Sequence, residues 1–331
     1  MKISFVEPHL RLYGGIRRII ELANRLVARG HEVTIFHPDG RPCSWMRCDA
    51  AIKKSDDLLL QNHKVIIYNS HHPPVYYLVK KARSDLKVFY ALGLYSREFL
   101  KSGIPLWYFL CNPRDAARMF FIERSLRSGY LVLSNSTWMH LWLLENMGID
   151  SKLLIGGVNT GIFYPASSPK RPDRITVLCS GDPRKGKGTR AVLRAIEAIK
   201  KEEPRISLDT YYNKGIPQEK MAEVYSSADI FVDNQQHGGW NNPVAEAMAC
   251  RVPVVCSDIG AVGDFAFHEK TALLVPVDDS EAIGSSVLRL IRDSDLSERL
   301  RENAYQHIRR FTWDASAARL EEIVATAIDE G

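Results

Sequence analysis

The sequence has no long apolar run and no cysteine motif, and both absences narrow what the protein can be. No stretch approaches the roughly 18 apolar residues that a membrane-spanning helix needs. The six cysteines include no CxxC pair and no histidine-rich segment beside them, which argues against a zinc site or a disulfide framework. The first residues, MKISFVEPHL, contain no signal-peptide apolar block. These features predict a cytoplasmic protein.

An excess of charge of one sign is also missing. Lysine and arginine number 44 against 39 aspartate and glutamate residues, which gives a net charge of +5. This balance is compatible with anionic ligands or an anionic surface. No recognition motif for nucleic acid accompanies it, and we expect no nucleic-acid partner. At 331 residues and 45% hydrophobic, the chain suits two globular domains of about 150 residues each.

What the sequence does contain is a repeated alternation of apolar strands and amphipathic helices. The strand KISFVE leads to the helix IRRIIELANRLVARG, whose apolar residues recur at helical spacing, and this order recurs along the chain. The segment PASSPKRPDR, at 165–174, has the composition of a linker, and a second alternation starts at ITVLCSG. The pattern predicts an α/β fold with two doubly wound parallel sheets. Such folds bind ligands at the carboxyl ends of their strands.

Gly14 and Gly15 form the first candidate phosphate-binding turn. They lie between a strand and the start of a helix, where free backbone N–H groups can hold an anion. The GxGxxG fingerprint of a dinucleotide site is absent. A tight turn without a ligand is the alternative.

A second candidate is the basic turn SGDPRKGKGTR, which follows the strand ITVLC. It matches the first letters of the P-loop pattern GxxxxGK[ST] up to Lys187, but Gly188 stands where the pattern has a hydroxyl. Thr189, one residue later, would point about 100° away on a helix. Besides a true P-loop, two interpretations remain. The turn is either a solvated basic loop, or a cationic loop that faces a diphosphate without a metal through Arg184, Lys185 and Lys187.

One carboxylate stands out in the segment HGGWNNPVAEAMACRVPVV, at 237–255. We predict that Glu246 lies in the first turn of a short helix that follows Pro243. It is either a charge favoured by the helix dipole or an acceptor for the two hydroxyls of a ribose. Eight residues earlier the chain has Gly238, so a second carboxylate is missing.

The order of these motifs resembles that of the retaining GT-B glycosyltransferases of family 4. The matching segments include YGGIRRIIELANRLVARGHEVTIF, GGVNTGIFYP, MAEVYSSADIFV and PVAEAMACRVPVVCSDIGA, and together they span nearly the whole chain. The resemblance implies two Rossmann-like domains that face each other across a cleft. Residues 1–165 would form an acceptor domain, 166–174 a linker and 175–312 a nucleotide-sugar donor domain. Residues 313–331 would form a helix that crosses back to the first domain.

The resemblance also implies roles for individual residues. Glu246 would hold the donor ribose. Lys187 would hold the donor diphosphate, with Lys185 as a rival. Where the family has an arginine after Gly181 the chain has Asp182, and Arg184 would take its place.

Further roles are implied in the first half of the chain and near the Glu246 helix. The loop at Gly14 and Gly15 would approach the donor phosphate or the acceptor. His71 or His72, in YNSHHPP, would correspond to a catalytic histidine near the transferred sugar; a loop histidine without a role is the alternative. Asp264 would lie where the family often has a glutamate.

Gly238 is the main departure from the family pattern. The family has a glutamate at this position, as the first of an EX7E pair, and that glutamate contacts the donor sugar. Neutral hydrogen bonds from His237, Asn241 or Asn242 would replace its contacts. The departure supports the alternative of a degenerate relative that binds a nucleotide without transferring a sugar.

The function implied is retaining transfer of a sugar from a nucleoside diphosphate sugar to a sugar or lipid-linked acceptor, in glycan, glycolipid or polysaccharide synthesis. No Asp-x-Asp pair lies near the site, so we expect no metal and no cofactor. A further alternative is another two-domain Rossmann enzyme, such as a sugar-nucleotide epimerase or a P-loop nucleotidase.

A basic face on the first helix raises the question of a membrane. Arg18, Arg25 and Arg29 lie broadly together on the side opposite the isoleucine stripe. The face is either solvated or rests on anionic lipid, where each basic residue would contribute about 1 kcal/mol. The second interpretation predicts peripheral contact with the inner face of an anionic membrane.

Overall fold

The computed structural model describes residues 1–93, 112–168 and 173–330. The chain divides into two compact units. The first contains Met1–Gly156 together with Trp313–Gly331, and the second is Gly157–Thr312. Each unit is built on a parallel sheet, which is the α/β architecture that the alternation predicts.

The first unit contains a sheet of seven described strands. They are β1 (Lys2–Val6), β2 (Glu32–His37), β3 (Ala51–Lys54), β4 (His63–Tyr68), β5 (Ser84–Ala91), β6 (Leu131–Ser134) and β7 (Lys152–Leu153). The strands lie in the order β3-β2-β1-β4-β5-β6-β7, and all pairs are parallel. The helices between them are α1 (Gly14–Ala28), α2 (Pro73–Lys81), α3 (Pro113–Leu126) and α4 (Thr137–Met147), with a 3-10 helix at Ser55–Leu60.

The second unit contains a sheet of five described strands. They are β8 (Ile175–Cys179), β9 (Ile206–Thr210), β10 (Ile230–Asp233), β11 (Val254–Ser257) and β12 (Leu273–Val275), in the order β12-β11-β10-β8-β9, all parallel. The helices are α5 (Thr189–Ile199), α6 (Met221–Ser226), α7 (Asn242–Ala249), α8 (Ser280–Arg292) and α9 (Ser294–Ile308), with 3-10 helices at Gln218–Lys220 and Gly260–Val262. The last described helix, α10 (Trp313–Asp329), belongs to the first unit.

The apolar residues of strands and helices meet in layers, as a doubly wound fold requires. In the first unit, one core cluster joins the sheet to α1 and α10, and another joins its opposite face to α2, α3 and α4. In the second unit, a cluster joins the sheet to α5, α8 and α9. The strands of parallel sheets that are buried on both faces are continuous apolar runs, so both alternations of strand and helix are visible in the sequence.

The boundary between the units lies earlier than the linker predicted at 166–174. The residues before that linker already contact the second unit. The amide of Val158 donates to the carbonyl of Phe311 at 2.8 Å, and the amide of Ala166 donates to the hydroxyl of Ser226 at 3.0 Å. The ring of Phe163 lies 6.1 Å from that of Tyr225. These contacts explain why the second unit begins at Gly157.

The basic face of α1 lies beside α10, which leaves Arg25 partly exposed and Arg29 exposed. Contact of this face with anionic lipid stays a prediction. Arg25 donates to Asp314 at 3.3 Å, and Nε of Arg29 donates to Glu321 at 2.8 Å. Arg18 is only 4% exposed. Because α1 and α10 lie at opposite ends of the sequence, the sequence pattern does not indicate that α10 supplies acidic partners for α1.

Arg18 is buried among aromatic groups near the point where the chain leaves and re-enters the first unit. Its guanidinium donates to the hydroxyl of Tyr90 at 2.7 Å, and that hydroxyl donates to the carbonyl of Leu154 at 2.7 Å. The guanidinium carbon also lies 5.4 Å from the centre of the Trp313 ring. Arg18 thus connects α1, β5 and the start of α10.

Replacing Arg18 by leucine is expected to lower the free energy of unfolding by about 1–3 kcal/mol. The variant loses a charge-assisted hydrogen bond and a cation–π contact. Part of that loss is offset because the desolvation cost of the buried guanidinium is also removed. Urea unfolding followed by tryptophan fluorescence measures the effect. Arg319→Leu, which removes an exposed ion pair with Glu322 on α10, serves as the control and should change stability by less than about 1 kcal/mol. Equal losses for the two variants would contradict a special role for Arg18.

The described cysteines are free. Cys179, Cys250 and Cys256 are buried, as their apolar neighbours in the sequence suggest, whereas Cys43 and Cys48 are partly exposed. Within the ranges that the structure describes, no helix combines the length and the apolarity needed to cross a membrane.

Candidate functional site

The residues predicted for the donor site collect at one edge of the second sheet. The loop that follows β8 carries the basic turn, and the loop that follows β10 leads into α7, which carries Glu246. Both loops leave the carboxyl ends of parallel strands, where doubly wound folds bind ligands. The two loops also contact each other, since the amide of Gln236 donates to the carbonyl of Gly186 at 2.8 Å.

The basic turn is held closed by its own side chains. The hydroxyl of Thr189 donates to the carbonyl of Asp182 at 2.6 Å, so it is used within the loop. Nε of Arg184 donates to both carboxylate oxygens of Asp182, at 3.0 and 2.9 Å, and Asp182 is buried. This ion pair neutralises much of the charge of Arg184. Lys185 is exposed on the same loop.

Lys187 is the cation that the structure holds in place. Its ammonium donates to the side-chain oxygen of Gln235 at 2.8 Å. Burial lowers the pKa of Lys187, and the nearby carboxylate of Asp233 opposes that shift. Lys187 therefore differs from Lys185, which the sequence analysis kept as its rival and which is exposed.

A buried polar network supports the loop after β10. Asp233 accepts hydrogen bonds from the amide of Gln235 at 3.0 Å and from the side chain of Asn241 at 2.8 Å, and burial raises the pKa of its carboxyl group. Asn241 also accepts from the amide of Val244 at 3.4 Å and so caps α7. Asn241 is 1% exposed, so its amide holds the loop together. The prediction that it contacts a sugar finds no support here.

Glu246 lies deeper in its helix than predicted. It is the fifth residue of α7, which starts at Asn242 because Pro243 is tolerated in the first turn. The prediction of a first-turn charge is therefore wrong. The hydroxyl of Tyr225 donates to the Glu246 carboxylate at 2.8 Å, and the hydroxyl of Tyr211 lies 3.1 Å from that of Tyr225. Burial, followed by the charge of Glu246, raises the pKa of Tyr225.

The remaining predicted residues of the second unit lie around the same loop. His237 is exposed, whereas Gly238 and Asn242 are partly exposed. Asp264 is also partly exposed and follows the 3-10 helix Gly260–Val262; its carbonyl lies 3.4 Å from a ring nitrogen of His307.

The other predicted residues lie at the carboxyl edge of the first sheet. Gly14 and Gly15 form the start of α1, where backbone N–H groups are free of helix partners. The rings of His71 and His72 stack with centroids 4.8 Å apart. Burial, together with the charge of Arg118, lowers the pKa of His71 to about 4. His71 is therefore neutral at pH 7.

Several residues of the site were missed by the sequence analysis. Asp233 is the last residue of the buried strand β10, Gln235 lies two residues further on, and Tyr225 lies on the helix before that strand. Their position at the carboxyl end of a central strand is a signal that could have identified Asp233 and Gln235. Nothing in the sequence indicates the contact between Tyr225 and Glu246, because it joins two helices.

The comparisons with known proteins centre on the second unit. Residues 210–307, which include β10, α7 and Glu246, match the family model "Glycosyl transferases group 1". This part of the chain is similar to the domain that the family model describes. The match starts at the end of β9, so it leaves out Lys187 and the basic turn.

Curated relatives of the chain are named glycosyltransferases. The D-inositol 3-phosphate glycosyltransferase of Thermobispora bispora is 29% identical over 164 residues, which are 50% of this chain and 38% of that protein. The protein of the same name from Streptomyces bingchenggensis is 27% identical over 260 residues, 66% of this chain and 57% of that protein. The chain thus spans less than two thirds of the length of either relative.

Solved structures confirm the fold over nearly the whole chain. Sucrose-phosphate synthase from Thermosynechococcus elongatus superposes with a TM-score of 0.74 at 18% identity and covers 99% of both chains. Anabaena Alr3699/HepE in complex with UDP-glucose superposes with a TM-score of 0.71 at 13% identity, covering 98% of this chain and 100% of that one. The two Rossmann-like units with their parallel sheets therefore have the GT-B fold.

Proposed function

We propose that the chain is a retaining glycosyltransferase that moves a sugar from a nucleoside diphosphate sugar to an acceptor. The observation that carries this proposal is the fixed ammonium of Lys187 at the carboxyl edge of the second sheet, beside the segment that matches the group 1 family model. The similarity to a protein that binds UDP-glucose supports a nucleotide-sugar donor.

The basic turn supplies what the leaving diphosphate needs. Departure of the diphosphate places negative charge on its oxygens, and a cation that is already positioned stabilises that charge without reorganisation. Lys187 is such a cation, and the N-terminus of α5 directs backbone N–H groups to the same loop. Arg184 would contribute less, since it is paired with Asp182. Catalysis without a metal ion and without a cofactor is part of the proposal.

Glu246 would recognise the ribose of the donor. Its carboxylate already accepts a hydrogen bond from Tyr225, which fixes the orientation of the side chain. A fixed carboxylate on a helix at the carboxyl edge of a parallel sheet can accept hydrogen bonds from ribose hydroxyls. His237 and Asn242, at the ends of the loop before α7, are the candidates for neutral contacts with the sugar.

The first unit would bind the acceptor. Its carboxyl edge carries the start of α1 at Gly14 and Gly15 and the stacked pair His71 and His72. Because His71 is neutral at pH 7, it can exchange hydrogen bonds with hydroxyl groups of a sugar or of a lipid-linked acceptor. We place the reaction in the cytoplasm, without a nucleic-acid partner.

A degenerate nucleotide-binding protein is the second candidate, and Gly238 is the observation that favours it. Turnover separates the two candidates. The purified chain, given nucleotide sugars and acceptors, should release free UDP, GDP or dTDP, and the product should keep the anomeric configuration of the donor. Nucleotide binding without any release would support the degenerate relative, and an inverted product would contradict retention.

A P-loop nucleotidase is less well supported by the geometry. The hydroxyl of Thr189, the nearest candidate for a magnesium ligand, donates to the carbonyl of Asp182. A strict requirement for magnesium in nucleotide binding would restore this alternative.

Replacing Lys187 by methionine is expected to weaken nucleoside diphosphate binding about 10–100-fold and to leave binding of the bare nucleoside unchanged. The reason is that charge-assisted hydrogen bonds to a phosphate contribute about 1.5–3 kcal/mol. Isothermal titration calorimetry with both ligands measures the difference. Lys185→Met is the matched control, because it removes an exposed lysine from the same loop. Equal losses for both ligands would show that Lys187 does not contact phosphate.

A further inference from the structure

Gln235 is the second residue of the loop after β10. It is 6% exposed, and both ends of its carboxamide are engaged. The oxygen accepts from the ammonium of Lys187 at 2.8 Å, and the nitrogen donates to the carbonyl of His237 at 2.7 Å. A single side chain therefore ties the basic turn to the loop that leads into α7.

The carboxamide of Gln235 also fills the space beside Gly238. A Cβ atom built at Gly238 would lie 2.3 Å from the side-chain nitrogen of Gln235, which is far too close. Gly238 is not among the glycines with positive φ, so its backbone conformation does not by itself require glycine. The obstacle is the carboxamide of Gln235, which would have to leave its two hydrogen bonds to make room. The carboxamide of Gln235 thus lies where a side chain at position 238 would lie.

The carboxamide is suited to hold a lysine whose charge is needed. An amide oxygen fixes the ammonium by one hydrogen bond and leaves the positive charge intact. A carboxylate in the same place would form an ion pair and neutralise it. The nearest buried carboxylate, Asp233, accepts from the amide of Gln235 and from Asn241.

We propose that Gln235 is a positioning residue with two roles. It holds Lys187 for a diphosphate through a neutral contact, and its carboxamide occupies the space that the side chain of a carboxylate residue at position 238 would need. The part that concerns the diphosphate rests on the proposed function. The part that concerns Gly238 rests on packing alone, so the two parts can be tested separately.

The first test replaces the neutral contact with Lys187 by a charged one. Glutamate also loses the donor to the carbonyl of His237, a loss that the methionine variant shares. Gln235→Glu should raise the Kd for a nucleoside diphosphate about tenfold and leave the Kd for the matching nucleoside unchanged, because the new carboxylate neutralises Lys187. Gln235→Met, which has similar length and no hydrogen bonds, should raise the diphosphate Kd only about threefold, since the lysine is released but keeps its charge. UDP and uridine, GDP and guanosine, and dTDP and thymidine are the probes, titrated into the full chain. A diphosphate Kd of the Glu variant equal to that of the unaltered chain would overturn the positioning role.

The second test needs no ligand. Gly238→Ala should lower the melting temperature by about 4 °C, as expected for an overpacked site. In a Gln235→Ala chain, Gly238→Ala should lower the melting temperature by less than half as much, because the obstructing amide is absent. Equal shifts in the two backgrounds would overturn the coupling of 235 and 238. If the cycle shows coupling but the unaltered chain binds no nucleoside diphosphate, the proposed function fails and the packing arrangement stands.

Discussion

Replacing Gly188 by alanine is expected to destabilise the second unit by about 2–6 kcal/mol and to abolish nucleoside diphosphate binding. Gly188 precedes α5 with a φ of 69°, a conformation that costs an alanine about 1–3 kcal/mol. In addition, its Cβ would lie 1.7 Å from the carbonyl oxygen of Asn234, which adds an overpacking cost of similar size. The basic turn must then move, and Lys187 moves with it.

Asn234 cannot easily give way, since its side chain is held on the other side. It donates to the carbonyl of Pro276 at 3.2 Å and accepts from the amide of Asp278 at 2.7 Å. Gly215 offers a matched control, because it has a φ of 63° and a Cβ atom added there would meet nothing within 4 Å. Gly215→Ala should cost about 1 kcal/mol and leave binding unchanged. Urea unfolding and calorimetry measure both effects; equal losses for the two variants would refute the role of the Asn234 contact.

Replacing Glu246 by glutamine is expected to weaken binding of nucleoside and nucleoside diphosphate alike, by about 2–30-fold. A ribose hydroxyl donates more strongly to a carboxylate than to an amide, by about 1.5–3 kcal/mol for a charged acceptor against about 1 kcal/mol for a neutral one. The amide oxygen can still accept from Tyr225, so stability should fall by less than about 1 kcal/mol. Glu246→Ala, which loses that hydrogen bond as well, should lose about 1–3 kcal/mol.

The control separates ribose recognition from support of the helix. A deoxyribonucleotide lacks one of the hydroxyls, so it should bind the unaltered chain more weakly than the matching ribonucleotide, and Glu246→Gln should remove that preference. Tyr225→Phe should lower stability while keeping the preference, because it leaves the carboxylate in place. If Glu246→Gln lowers stability and retains normal nucleotide binding, Glu246 is a structural residue.

Much of the fold could be predicted from the sequence, because its periodicity is strong. Both alternations of strand and helix are present, and the buried parallel strands appear as apolar runs such as Ile175–Cys179 and Val254–Ser257. Short edge strands such as Ala51–Lys54 and Lys152–Leu153 were missed, since they have few buried residues. The ion pairs that Arg25 and Arg29 form with Asp314 and Glu321 could not be predicted, because these partners are nearly 300 residues away in sequence.

The site was harder to predict than the fold. Sequence spacing singled out the basic turn and Glu246 as candidates, with Lys185 as a rival of Lys187. The contact with Gln235 and the lower exposure of Lys187 separate the two lysines. The expectation of a first-turn charge at Glu246 was wrong, since α7 begins earlier, at Asn242. Asn241 was expected to face a sugar, yet it is needed to satisfy the buried carboxylate of Asp233. The first and the last of these differences arise from hydrogen bonds between residues that lie apart in the sequence.

The location of α10 has a consequence for the order in which the protein is made. Trp313, Leu320 and Val324 belong to the core of the first unit, although the ribosome delivers them after the whole of the second unit. At typical elongation rates of about 5–20 residues per second, the interval between completion of Gly156 and arrival of α10 is on the order of 10 s. During this interval the apolar stripe of α1 is not covered by α10. The unit that begins first during synthesis is thus the one completed last, and the nascent chain carries an unfinished surface while its second half folds.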